Sequence, residues 1–182
     1  MTKQRIGLLV VCLLLVAMAV AETPPAKQTA IEKKSGSATS SLVVMPGSEQ
    51  WMDIPAAALV GTPSVEMGGT VKIAVLQGDP TTAGRAYTLR LSCTDGTKIA
   101  PHWHPKTENV TVIKGIFRLG MGAKWDEAAM KEIPVGGFAS APPQMRHYGQ
   151  CKGDSVLQVN GIAPFVVNFV GPDEPGPAKK TN

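Results

Sequence analysis

The sequence predicts an all-β domain whose strands bury their apolar faces on one another as a sandwich or barrel, and three features predict it. Short apolar or alternating runs recur through the middle of the chain, at 71–76, 87–93, 110–114, 117–121, 137–141, 155–161 and 165–170. Turn signals separate them, among them Gly78-Asp79-Pro80, Thr94-Asp95-Gly96, Lys114-Gly115, Gly136-Gly137 and Gly153-Asp154. Helical periodicity is nearly absent, because only 126–132 reads as helical and it is too short to build a layer.

Each run has the composition a strand favours. Val, Ile, Thr and aromatic residues dominate, and they suit a pleated, half-buried surface. Seven such strands without helices have only each other to cover their apolar sides. No internal repeat is visible, so one barrel is expected and not two.

The ends of the chain read differently. Lys3 and Arg5 precede an apolar run from Ile6 to Val20, and Ala19-Val20-Ala21 supplies small residues at the −3 and −1 positions of a signal-peptidase site. A run of that length falls short of the roughly 20 residues that span a bilayer. Residues 1–21 are therefore expected to be a cleaved signal peptide, with an uncleaved anchor as the alternative, and the protein is expected in the periplasm or outside the cell. Residues 22–42 read as a flexible tether, 43–170 as the folded domain and 171–182 as a disordered tail.

The formal charge of +4 falls to +2 once Lys3 and Arg5 leave with the signal. No basic patch interleaved with aromatics is present, so nucleic-acid binding has little support.

Three histidines occur in the whole chain, and two stand in His102-Trp103-His104. Alternate residues of a strand face the same way, so both imidazoles can lean toward one ion while Trp103 faces the other side. Pro101 and Pro105 stiffen the chain around them, and Glu108 follows the turn, where its carboxylate can reach the same point. His147 follows Pro142-Pro143 and opens a later strand. Imidazole and carboxylate donors suit Mn, Fe, Ni, Cu or Zn and argue against Ca or Mg. Unprotonated imidazoles are required, so affinity is expected to fall below a pH of about 6.

The spacing of Gly96, five residues, His102, one, His104, three, Glu108, six, Gly115 resembles the first motif of the cupin superfamily at every defined position. A looser second motif follows: Gly136, five residues, Pro142, one, Gln144, two, His147, three, Cys151. Cupins usually carry Gly in place of Gln144 and Asn in place of Cys151, and 20 residues separate the two motifs. The chain is also similar to small exported bacterial single-domain cupins. The resemblance implies a single jelly-roll β-barrel with an ion near its axis, held by His102, His104, Glu108 and His147. It further implies a homodimer paired through edge strands. Oxygenase chemistry is the commonest implication of this ligand set, although isomerase, lyase and decarboxylase relatives share it. A regulatory cupin partnering a sigma factor is disfavoured by export.

Lesser signals carry alternatives. Cys151 reads first as inert packing facing the barrel interior with His147; a disulfide with Cys93 and a reactive thiolate are the other readings. Gln158, Asn160 and Arg90 are candidate substrate-binding residues if their strand faces turn inward. Trp125 reads as packing, and Tyr148 is expected to point away from His147. The functional expectation is a small metalloenzyme acting on an oxygen-rich organic molecule, dioxygenase-like or using other Lewis-acid chemistry. The rival is a non-catalytic metal-dependent ligand-binding or sensing module.

Overall fold

The computed structural model describes residues 42–171. The segments expected to be a signal peptide, a tether (up to residue 41) and a tail (from residue 172) lie outside the described residues.

Ten strands follow in chain order: β1 (Met52–Asp53), β2 (Leu59–Val60), β3 (Val71–Gly78), β4 (Ala86–Cys93), β5 (Lys98–Trp103), β6 (Glu108–Met121), β7 (Lys131–Ile133), β8 (Phe138–Ala141), β9 (His147–Ile162) and β10 (Val167–Phe169). They form one curled sheet of order β1-β3-β4-β9-β5-β10-β2, with β6 pairing β7, β8 and β9. Two long strands organise the curl. Most of β9 runs antiparallel to β6, from Met121↔His147 to Glu108↔Gly161. Its other edge pairs first with β5 and then with β4. This is the expected all-β jelly-roll barrel.

Two expected turns, Lys114-Gly115 and Gly153-Asp154, lie inside β6 and β9 instead. Register shifts fall between Val112 and Lys114 and between Lys114 and Ile116, so Lys114-Gly115 bends β6 without ending it. Gly115 sits at φ 75°, and a Cβ there would run into the Ser155 hydroxyl. The segment 126–132 is not one helix: Glu127–Ala129 forms a 3-10 turn capped by Asp126, and β7 follows. Pairing of Arg118 with Glu132 and Leu119 with Lys131 draws the end of that segment into the sheet.

Alternation fills the barrel. On β4, Tyr87, Leu89, Leu91 and Cys93 are buried, while Thr88, Arg90 and Ser92 take the other face. One core cluster joins Leu91, Cys93, Val112, Phe117, Cys151 and Leu157. A second joins Leu89, Val159, Phe165, Val167 and Phe169 with their neighbours. Each large apolar side chain so buried contributes about 1.5–3 kcal/mol. Cys93 and Cys151 are disulfide-bonded with Cα atoms 6.3 Å apart, so the packing reading of Cys151 is corrected. The two residues come from neighbouring strands, β4 and β9, that are distant in sequence, a relation that local spacing does not encode.

Candidate metal centre

Four side chains from four places in the chain meet at one end of the barrel interior. His102 lies near the end of β5, His104 just past it, Glu108 starts β6 and His147 starts β9. His102 pairs directly with His147 across β5 and β9 and with Phe169 of β10. All three histidines are buried, at 4–6% exposure.

Their ligand atoms all lie within 4.8 Å of one another. The Glu108 Oε2 stands 3.4 Å from His104 Nε2 and 3.2 Å from His147 Nε2. Every Nδ1 is engaged by a backbone carbonyl: His102 by Ala100 at 2.7 Å, His104 by Val166 at 2.7 Å and His147 by Met145 at 2.9 Å. A carbonyl only accepts, so each Nδ1 carries a hydrogen, and in the neutral imidazole each Nε2 presents its lone pair to the centre. Metal-binding histidines are oriented in this way. The Nε2 of His104 is buried without a hydrogen-bond partner, an orphan that an ion would satisfy.

Electrostatics favour the donor form at His102 and Glu108, while the carboxylate works the other way at His104. Burial pushes His102 well below the ordinary imidazole range, and the neighbouring His147 and His104 add to the effect. Burial alone would also depress His104, but the Glu108 carboxylate outweighs it and raises this imidazole. Burial likewise opposes ionisation of Glu108, yet His104 and His147 hold its carboxyl well below the usual range. The carboxylate is therefore ionised at neutral pH, as a ligand must be.

The turn that delivers His147 departs from the expected motif and keeps its shape. Gly96, Gly115 and Gly136 adopt φ 74°, 75° and 82°, and Gln144 adopts φ 63° in the left-handed region where the motif usually has glycine.

No family model matches the chain, and no curated protein matches it. Solved structures do. A proposed acetylacetone dioxygenase from Methylibium petroleiphilum PM1 is 20% identical, with a TM-score of 0.52 over 78% of this chain and 89% of that one. An RmlC-like cupin from Shewanella frigidimarina NCIMB 400 is 16% identical, with a TM-score of 0.48 over 78% and 95%. KdgF from Halomonas sp. is 15% identical, with a TM-score of 0.47 over 68% and 94%. The Methylibium likeness, with both motifs seated at one centre of a curled sheet, decides the fold. It is a jelly-roll β-barrel.

Within this barrel, the expected substrate residues lie away from the four ligands. Arg90, Gln158 and Asn160 alternate with the buried Leu89, Leu157 and Val159 and so occupy the outer face. Arg90 is ion-paired to Glu49, and Asn160 Nδ2 donates to Thr88 Oγ1 at 2.8 Å. None of the three lines the cavity around the four ligands. Trp125 packs on Tyr148 with ring centroids 5.3 Å apart, and the Tyr148 hydroxyl donates to the Asp126 carbonyl at 3.0 Å, away from the centre.

What the sequence reading missed is the cavity wall. The cavity measures about 260 Å³, and residues from the segment before β3, including Ile54 and Met67, help enclose it. Phe165 stacks on His104 at 5.6 Å between ring centroids. The apolar alternation of β4 and β9 was the available signal for which face turns inward.

Proposed function

We propose that His102, His104, Glu108 and His147 hold one divalent transition-metal ion (Fe, Mn, Ni, Cu or Zn) and that the protein is a small metalloenzyme acting on an organic molecule with oxygen donors. The observation behind this reading is the convergence of three Nε2 lone pairs and one carboxylate, with every Nδ1 already satisfied. A bound ion would supply Lewis-acid polarisation of substrate oxygens or activation of O₂, the basis of dioxygenase-like, isomerase and lyase chemistry. The chain's own residues do the rest. Glu108 offsets one positive charge, the three carbonyls fix the imidazole orientations, and the apolar wall excludes water from the reacting centre.

One observation favours a second reading. The only ionisable side chains lining the cavity, among the described residues, are the four ligands themselves, so no separate acid or base stands ready. A non-catalytic, metal-dependent ligand-binding or sensing module would need none. The experiment loads the full chain with Fe(II) or Mn(II) and follows O₂ uptake and product formation across a substrate panel. Turnover lost in Glu108→Gln supports the enzyme. Binding of unchanged ligand without turnover supports the module, and failure to bind metal overturns both.

Location and assembly belong to the same proposal. The charged start, apolar run and small-residue site at 19–21 support a mature, exported chain beginning at Glu22, which N-terminal sequencing checks. A homodimer through a sheet edge is supported by β1 pairing β3 only at Lys72 and Ile73. Residues 74–78 of β3 then have no strand on that side among the described residues, and light scattering reads the outcome.

A further inference from the structure

The character of the cavity wall names the class of molecule this site takes, an inference that rests on the metal reading above. Apart from the four ligands, the side chains lining it are apolar, with Ile54, Met67, Leu91, Val110, Leu157 and Phe165 as examples. No Ser, Thr, Asn, Gln, Tyr, Lys or Arg lines it among the described residues. The volume of about 260 Å³ sits just under the roughly 300–1,000 Å³ usual for drug-sized ligands. Arg90 and Asn160, on the two strands whose apolar residues form much of this wall, face outward, with Arg90 on Glu49 and Asn160 on Thr88.

We propose that the ligand is a small molecule with a hydrocarbon body and a single oxygen-donor head carrying no more than one negative charge. This replaces the oxygen-rich molecule expected from the sequence. Hydroxyls spread along a sugar or polyol would leave water and meet only carbon, losing hydrogen bonds without replacement. Three neutral imidazoles, one carboxylate and a divalent ion leave a net charge of +1. That charge balances one anionic head, and the wall offers no cation for a second. The apolar body, in turn, gains by leaving water.

The test compares six-carbon monocarboxylates that differ only along the body. Zinc is first titrated into the full chain by calorimetry, and hexanoate or gluconate is then titrated into the zinc-loaded protein. Hexanoate is expected to bind at least about tenfold more tightly than gluconate. Affinity is expected to rise about fourfold per methylene from propionate to hexanoate. Met67→Gln, at a partly exposed wall position, is expected to narrow the preference for hexanoate. Stoichiometric zinc with gluconate bound as tightly as hexanoate, or with no gain per methylene, overturns this inference and leaves the metal reading standing. A chain that takes up no zinc, or any other divalent transition metal, overturns both.

Discussion

The backbone N–H of Gln144 donates to the carbonyl of His104 across 2.8 Å. This bond ties the turn that delivers His147 to the strand end that delivers two other ligands, so the two halves of the centre share one backbone link. The turn makes the bond with Gln144 at φ 63°, where a β-carbon is strained by roughly 1–2 kcal/mol. Gln144→Gly removes that strain, and the side chain is exposed, so little packing is lost. Offset by the greater freedom of glycine in the unfolded chain, stability is expected to rise by about 0.5–1 kcal/mol. Gln144→Val is expected to lower it by about 1–3 kcal/mol. Urea unfolding midpoints check both.

The disulfide closes a span of 58 residues between Cys93 and Cys151. Its loss in a Cys93→Ser, Cys151→Ser double variant is expected to cost about 3–4 kcal/mol through the restored freedom of the unfolded chain. Unfolding of the double variant should be insensitive to dithiothreitol, whereas the wild-type midpoint should drop when the reductant is added.

Gly120 faces the ring of Tyr148, where a β-carbon would collide with the aromatic carbons. Tyr148 is only 1% exposed and has no room to withdraw. Gly120→Ala is therefore expected to destabilise the protein by about 1–3 kcal/mol, read as a lowered thermal midpoint. Metal stoichiometry is expected to survive, since Tyr148 packs on Trp125 and not on the ligands.

Arg90 and Glu49 bind each other on the outer face of β4. Arg90→Ala is expected to lower thermal stability and to leave metal affinity within about twofold of wild type, because additive behaviour is the rule for sites without shared partners. A large loss of metal affinity would show that this pair reaches the centre.

Much of the centre was legible because it is written in local spacing. A one-residue gap lets His102, near the end of β5, and His104, just past it, face the same point, and the three-residue step to Glu108 spans a single turn. Joining His147 to them required the second motif, since the sheet brings β5 and β9 together from distant stretches. Strand lengths were less legible. Gly115 and Gly153 adopt positive φ, which serves a bulge as readily as a turn, so β6 and β9 read as broken when each is continuous. The disulfide stayed open because distance, not cysteine count, decides it. For Gln158 and Asn160, period-two alternation establishes two faces, and the choice of inner face belongs to the apolar Leu157 and Val159.

The central claim is tested most directly by X-ray absorption on the full chain loaded with one equivalent of zinc, alongside His147→Ala. Three nitrogen ligands with imidazole scattering and at least one oxygen, all at about 2.0–2.2 Å, are predicted, with one imidazole lost in the variant. A sulfur ligand, an all-oxygen shell, or the same spectrum from His147→Ala would contradict the account.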